Sequence, residues 1–596
     1  VGRSFKYHRP RGIFSAGTEE PNALVQLRDG AAQEPNTRAT TTELFDGLIA
    51  TSQNHRGPLE WDLLSVNDLL SPFLSAGFYY KTFMWPAKFW EKIYEPVIRN
   101  SAGLGRLSGA EDPDVYDHGF LHCDMLIIGA GPAGLAAALA AGRSGARVIL
   151  ADEDFRVGGR LNAESYEIDG QPGARWAGQA AAELEAMNNV RLMARTTVYG
   201  AFDHGIYGAL ERRTDHLVTS GDKPRHVLWR VYSKRTLLAA GATERSIAFG
   251  NNDRPGVMLA GAVRTYVNRF GVAPGKSVAV FTNNDDGART ARDLEARGVS
   301  VAGVIDTRQS GAVIDTSGRK QLRQVSLADG RRIEADCLAV SGGWSPNVHL
   351  TCHHRGRPQW RDDIAGFVPG GELPPGMEIV GAANGAMTLA AAISQGHQAA
   401  MRAAEDLGAK GSCGTAPIAE DEPSGTSATW HIGASRKRAW VDLQNDVTSK
   451  DVKQSHQEGF RSVEHLKRYT TLGMATDQGK TSNILGLAIM AEAAGKTIAE
   501  TGTTIFRPPY NPVAIGAFAG RARGKHFRPY RLTPSHVWAE ENGADFVETG
   551  MWLRAQWFKR PGEKGWRDSV DREVEMTRKS VGICDVTTLG KIDIQG

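Results

Sequence analysis

The sequence predicts an α/β protein whose core is a doubly wound sheet, and three observations predict it. From Asp124 to about Leu407, strand-like apolar runs alternate with Ala-rich helix-like runs, the pattern that lays helices on both faces of a mostly parallel sheet. Within that stretch, DMLIIGAGPAGLAAALAAGRSGARVILADED reads as strand, glycine turn, helix, turn and strand, with an acid at the end. A second strand, helix and strand follow in KSVAVFTNNDDGARTARDLEARGVSVAGVID, so a nested unit is expected over about residues 255–345.

The chain has 596 residues, 41% of them apolar and 23% charged, and at roughly 150 residues per domain about four units are expected. Lys and Arg number 70 against 67 Asp and Glu, a net charge of +3. These basic residues are scattered and form no stripe of the kind a phosphate backbone requires, so nucleic acid is not expected as a partner. The five cysteines, Cys123, Cys337, Cys352, Cys413 and Cys584, include no CxxC pair; neither a disulfide framework nor a Cys-based metal or iron–sulfur site is supported, and a cytoplasmic location is expected. The most apolar stretch, Met125 to Ala141, is interrupted by three glycines and a proline, which argues against a membrane span, and no signal peptide is visible. The chain begins with Val1 instead of Met, and CDVTTLGKIDIQG reads as a strand breaking off at Gly596. It is therefore read as a piece of a longer polypeptide.

Residues 1–75 read as short strands and loops. Residues 76–123 form a connecting strap in which Tyr79, Tyr80, Phe83, Trp85, Phe89, Trp90 and Tyr94 crowd together, too apolar to be left in solvent and expected to fold over a neighbouring domain. Residues 124–407 carry the core, and 408–430, rich in Gly, Ser, Pro and Thr, read as a linker. A small helical module follows over 431–505, with an N-cap at Thr448 or Ser449, then helices in KDVKQSHQEGF, SVEHLKRY and ILGLAIMAEAAG. RPPYNP turns the chain into a last segment, 506–596, which is rich in Trp and charge.

The first glycine turn carries the strongest motif. Gly129 permits the tight turn, Gly131 lets the backbone approach a pyrophosphate, Gly134 lets helix and strand pack closely, and the helix N-terminus offers free N–H groups. Asp152, eighteen residues after Gly134, is spaced to accept hydrogen bonds from ribose hydroxyls. Acids at 152 and 153, where a 2′-phosphate would need an Arg, point to NAD or FAD over NADP. Gly158, Gly159 and Arg160 continue the pattern with a second glycine pair. The second unit lacks a phosphate loop: Asn283, Asn284, Asp285 and Asp286 stand where glycines would, and two carboxylates repel a pyrophosphate. LLAAGATERSIAFGNNDRPGVML and EIVGAANGAMTLAAAISQGHQAA resemble the ATG-type strand and the last strand and helix of two-dinucleotide-domain flavoproteins. In their flavin-binding members that strand ends in an Asp that holds the ribityl chain, whereas Gly381, Ala382, Ala383 and Asn384 follow Val380 here, so NAD is expected in place of FAD. Cys352, His353 and His354 read as a polar loop and not a metal site; no metal is expected. No acid–base pair or activated nucleophile stands out, and no catalytic residue is named.

Taken together, GRSFKYHRPRG, EEPNALV, GFYYKTFMWP, GAGPAG, GATERSIAFGNNDRPGVM, WVDLQNDVTSKDV, SVEHLKRYTTLGMATDQGKTSN and RPPYNPV resemble the α subunits of heterotetrameric sarcosine oxidases from end to end. The resemblance implies a two-dinucleotide-binding-domain, flavoprotein-like Rossmann core and an N-terminal ferredoxin-like module without cluster ligands. It also implies a small helical module and the truncated start of an aminomethyltransferase-like α+β folate domain. The implied reaction takes sarcosine, oxygen and tetrahydrofolate to glycine, hydrogen peroxide and 5,10-methylenetetrahydrofolate. FAD would sit on a partner subunit, FMN at the subunit interface and tetrahydrofolate in the part beyond Gly596, with β, γ and δ subunits as partners. For NAD it implies Gly129, Gly131, Ala133 and Gly134 at the pyrophosphate, and Asp152, Glu153 and Asp154 at the ribose. Gly159 would belong to the second glycine pair and Arg160 would follow it, Val198 would border the adenine, and Ala382, Met387 and Leu389 would come from the late segment. For FMN it implies Gly473, Thr476, Gly479, Lys480 and Thr481. Two alternatives remain: a subunit of an FAD-dependent amine, opine or proline dehydrogenase or of a cyanide-synthase-like enzyme, and a non-catalytic scaffold that contains NAD.

Overall fold

Strand Tyr116–Ile128 organises the computed structural model, which describes residues 2–218 and 221–594. Only its last four residues, MLII, are apolar throughout; before them inward and outward side chains alternate. It pairs in parallel with Val148–Ala151 on one side and, from Tyr116 to Ile128, with His226–Leu238 on the other. The core therefore begins eight residues before Asp124, because alternating polar residues still form ladder hydrogen bonds when only one face is covered. The sheet runs in the order 190–193, 148–151, 116–128, 226–238, 206–212, 196–202, and 377–379 pairs with the end of 226–238.

Helix Pro132–Arg143, buried along nearly its whole length, lies against helix Leu389–Asp406. A Cβ on Gly396 would stand 2.1 Å from the Ala133 carbonyl oxygen, so small residues bring these helices together and carry the late segment over the first glycine turn. A second parallel sheet runs in the order 257–259, 337–341, 277–282, 300–306, with helices Ala260–Asn268 and Asp285–Ala296.

In the N-terminal part, strand Leu24–Leu27 pairs with Glu34–Arg38 and Ala50–Ser52. Arg11 is buried between Asp253 and Asp446, and Asp446 also accepts the N–H groups of Lys6 and Tyr7 at 2.9 Å. The strap behaves differently from the expectation. Tyr80 stacks on Tyr469, but Tyr80, Met84, Trp85 and Phe89 stay exposed, since short turns at 78–80 and 90–94 make its rings stack on one another and present no continuous face. The stretch 408–430 has no helix or strand, as expected of a linker, yet it is pinned to the core: Gly411 N–H donates to the Ser144 carbonyl, Gly425 N–H to Asp285, and Glu422 is buried.

The helical module follows its sequence signals. Thr448 caps helix Ser449–Gln457 in a reciprocal box with Asp451, Ser462 caps Val463–Thr470, and Gly495 ends Asn483–Ala494 in the left-handed conformation. The chain forms two compact units, residues 1–517 and 518–596. In the second, strand Trp552–Phe558 lies between Ala544–Thr549 and Arg531–Leu532, with helix Trp566–Lys579 following. The closing strand expected after Cys584 does not form: residues 580–594 are irregular, with Ile583, Ile592 and Ile594 exposed. A strand needs a neighbour for its N–H and C=O groups, and none of the described residues pairs with this one. Gln595 and Gly596 lie outside the described residues. Among those residues, no helix is long and apolar enough to cross a membrane.

Trp440 joins the N-terminal part to the helical module. It is 1% exposed, meets Tyr7 edge-on at 5.8 Å, and lies under the guanidinium groups of Arg11 and Arg438. Trp440→Ala is expected to destabilise this unit by about 3–5 kcal/mol, read as a fall in denaturation midpoint; a midpoint equal to the parent's would refute the joining role.

Candidate dinucleotide site

The site is built on the turn after strand Tyr116–Ile128. Gly129 takes φ = 100° and its N–H donates to the Ala151 carbonyl at 2.8 Å; Pro132 opens the helix. A Cβ at Gly134 would stand 1.8 Å from the Gly129 carbonyl oxygen, whereas one at Gly131 would meet nothing within 4 Å. The two glycines thus do different work: one is a packing contact and the other faces open space. Asp152 ties this turn to its neighbouring strand, accepting the Ala130 N–H at 2.5 Å and the Asp154 N–H at 2.8 Å. Burial pushes its carboxyl up to about 7, against the pull of those two N–H groups. Part of its hydrogen-bonding capacity, expected from sequence to serve a ribose, is thus taken by backbone.

A cavity of about 400 Å³ opens above the turn, within the size range of small-molecule sites. Gly129, Gly131, Ala133, Asp152, Glu153, Asp154, Gly159, Arg160, Val198, Ala382 and Met387 all lie on its wall. Gly134 and Leu389 lie behind it: Gly134 in the helix–strand contact, and Leu389 buried with its N–H on Glu422 at 3.0 Å.

One end of the cavity collects residues from distant segments. Glu153 accepts hydrogen bonds from Thr18 at 3.2 Å and from the Asn511 amide at 2.7 Å. Burial raises its carboxyl, opposed by Arg212 and Lys480. Lys480 Nζ lies 3.9 Å from the Tyr510 ring centroid and donates to the Tyr510 and Asp477 carbonyls at 3.0 and 3.2 Å. Burial, then Arg38, draws this amine down to about 7 while Asp477 and Glu153 oppose them. His349 stacks on the other side of the network, 4.2 Å from Tyr510, and burial lowers it to about 3, which keeps it neutral. Thr18 and His349 carry no local motif, and Tyr510 and Asn511 were read only as part of the turn RPPYNP, so none of the four was expected at the site.

The other end is lined by paired charges. Arg160 bonds Glu164 at 2.8 Å, Glu422 at 2.9 Å and the Met387 carbonyl at 2.7 Å. Burial alone would lower this guanidinium, but Glu164 and Glu422 outweigh it and hold the charge. Arg289 bridges Glu422 and Asp286, and Arg264 reaches Asp286 at 2.7 Å. The repulsion expected from Asp285 and Asp286 is therefore cancelled: Asp286 has two arginines and Asp285 has Arg308 at 2.6 Å. Arg264 reaches Asp286 from another helix, whereas Arg289 lies one turn along the same helix. Asn284 caps its helix, accepting the Gly287 N–H at 2.8 Å.

Of the five residues expected at FMN, Lys480 alone lines this cavity. Gly473 N–H donates to Asp442 at 2.8 Å, Thr476 accepts from Gln444 at 2.6 Å, Gly479 presses on Asn483, and Thr481 is buried. Cys352 to His354 form no simple polar loop: Cys352 ends the short helix His349–Cys352 and is buried, and His353 Nδ1 accepts the Ala201 N–H at 3.3 Å. Among the described residues no group of three or more His, Cys, Asp or Glu could hold a metal ion.

Gly134→Ala should lower the melting temperature by several degrees, because its Cβ has no room beside Gly129. Gly131→Ala should leave melting of the empty protein unchanged and only narrow the cavity. Equal melting shifts for the two variants would contradict this division of roles.

The chain is similar to known proteins along its full length. Residues 1–55 match a 2Fe-2S iron-sulfur cluster binding domain, 124–209 an FAD dependent oxidoreductase, 436–521 the sarcosine oxidase A3 domain and 535–596 the GCVT N-terminal domain. Sarcosine oxidase subunit alpha of Rhizobium meliloti (strain 1021) is 48% identical over all of this chain and 62% of its own length; that of Corynebacterium sp. (strain U-96) is 38% identical over all of this chain and 61% of its own. The chain thus spans about three fifths of these relatives. In fold it is similar to L-proline dehydrogenase from P. horikoshii, with a TM-score of 0.64 at 19% identity over 87% of this chain and 91% of that one. The segment 1–55 contains no cysteine, so it does not fit a thiolate-held iron–sulfur cluster. Along its whole length, and at its A3 domain, the chain is thus similar to sarcosine oxidase α subunits.

Proposed function

We propose that the chain is part of the α subunit of a cytoplasmic, heterotetrameric sarcosine oxidase and that its cavity holds NAD. The whole complex, with β, γ and δ subunits, then takes sarcosine, oxygen and tetrahydrofolate to glycine, hydrogen peroxide and 5,10-methylenetetrahydrofolate. The observation that carries the NAD reading is the open approach at Gly131 onto a cavity whose wall includes Gly381 and Ala382, with no carboxylate at the end of that strand. The match of 124–209 to an FAD dependent oxidoreductase covers the turn and acid that serve the ADP half, which NAD and FAD share.

In this reading Gly129, Gly131 and Ala133 present the turn to the pyrophosphate. Glu153, fixed by Thr18 and Asn511, accepts the adenosine ribose hydroxyls together with the free capacity of Asp152, and Val198 borders the adenine. Arg160, Ala382 and Met387 close the other half, while Gly134 and Leu389 act from behind the wall. NAD so enclosed is a structural cofactor. FMN belongs at the boundary with a partner subunit, where Lys480 and the loop containing Gly473, Thr476, Gly479 and Thr481 are this chain's contribution. FAD is held by a partner, and folate by the domain that starts in the last segment.

The purified chain, once denatured, should release colourless NAD near one per chain by chromatography and absorbance; yellow FAD would overturn the reading. Glu153→Ala should weaken NAD retention by roughly tenfold to a hundredfold, the cost of a lost hydrogen bond to a charged group, and unchanged retention would remove Glu153 from the site. With the full-length chain assembled with its partners, sarcosine should drive peroxide formation, and a complex inactive on every N-methyl amine tested would reject the assignment.

A further inference from the structure

The match of residues 1–55 to a 2Fe-2S domain conflicts with a sequence that has no cysteine before Cys123, and in the same segment the structure holds a buried carboxyl group, raised by burial against the pull of four backbone N–H groups. Ligand cysteines of plant-type clusters follow the spacing C-x4-C-x2-C. Ser15, Glu20 and Ala23 have that spacing here. Glu20 is fully buried. One of its carboxylate oxygens accepts the N–H groups of Phe14 at 2.9 Å and Ser15 at 2.6 Å, with the Ser15 hydroxyl at 3.3 Å. The other accepts those of Asn22 at 2.7 Å and Ala23 at 3.1 Å. Backbone donors pointing inward from such a loop suit the negatively charged sulfurs of a cluster; here they converge on one carboxylate, which satisfies the requirement that a buried charge be hydrogen-bonded.

The loop is also fastened to the rest of the molecule. Arg38 donates to the Glu20 carbonyl at 3.0 Å and to the Thr476 carbonyl at 2.6 Å, and Thr40 donates to the Gly17 carbonyl at 2.7 Å. Its tip carries Thr18, which lines the cavity and donates to Glu153.

We propose that Glu20 is a built-in anion standing in place of an iron–sulfur cluster, and that the loop it shapes has become a positioning element of the nucleotide cavity through Thr18 and Glu153. The first half stands on the loop alone; the second rests on the NAD reading above. The module then carries no electrons, and Glu20 is a positioning residue.

The test uses the full-length chain in its complex, with Glu20→Gln, Thr18→Val and the double variant. Amide hydrogen exchange at Phe14, Ser15, Asn22 and Ala23 should accelerate at least tenfold in Glu20→Gln and stay unchanged in Thr18→Val; unchanged exchange in Glu20→Gln overturns the anion role whether or not a nucleotide is bound. NAD should dissociate severalfold faster from each single variant, and the double variant should be no faster than Thr18→Val. Additive losses, or no loss in either single variant, overturn the coupling. Wild-type protein that releases no nucleotide at all defeats the NAD reading and the coupling with it, while the exchange result still decides the role of Glu20. Should Glu20→Gln fail to fold, Glu20→Asp replaces it, and its shorter reach should accelerate exchange at the same four amides; unchanged exchange there counts against the proposal. Iron in the native module at two atoms per chain, with cluster absorbance, refutes the replacement outright.

Discussion

The turn between strand Tyr116–Ile128 and helix Pro132–Arg143 is the constraint on which the rest of residues 1–517 is hung. Gly134 lies so close to the Gly129 carbonyl that no side chain fits, and Asp152 holds the Ala130 N–H from the next strand. With the turn fixed, helix 132–143 has one available position on the sheet, and the contact of Gly396 with Ala133 then fixes helix 389–406 against it. That second contact brings Gly381 and Ala382 opposite Gly131, and a cavity follows from two close packings made by residues with no side chain.

Around that cavity, charge does what apolar packing does elsewhere. Arginines 160, 264 and 289 each meet carboxylates from other segments, and Glu422, in a stretch without regular structure, closes the network. Ionic groups so buried are costly unless paired and hydrogen-bonded, so the network defines a single arrangement of the first and second nucleotide units and of the stretch that crosses them. Similar logic operates at the N-terminal part, where Arg11 lies between Asp253 and Asp446 and Glu20 gathers the backbone of its own loop.

Much of the fold was legible because its signals are local. The glycines of the first turn and the Thr448 cap are each specified by residues within a few positions of one another, and each forms as read. Boundaries were less legible: Tyr116 to Cys123 joins the core strand because of its long parallel partner, and the segment after Cys584 stays irregular for want of one.

For the site, the sequence by itself determined the wall made by Gly129, Gly131, Ala133, Asp152 and Glu153, since the spacing of a turn and a strand end is covalent. Only tertiary structure decided that Thr18, His349, Lys480, Tyr510 and Asn511 complete one end, that Arg264 and Arg289 neutralise Asp286, and that Glu20 fills its own loop. The cavity end and the Arg264 pairing join segments far apart in the chain, while the Arg289–Asp286 pair and the Glu20 loop are local in sequence; in both cases the energies arise only when burial removes water from both partners, and spacing alone does not encode that event.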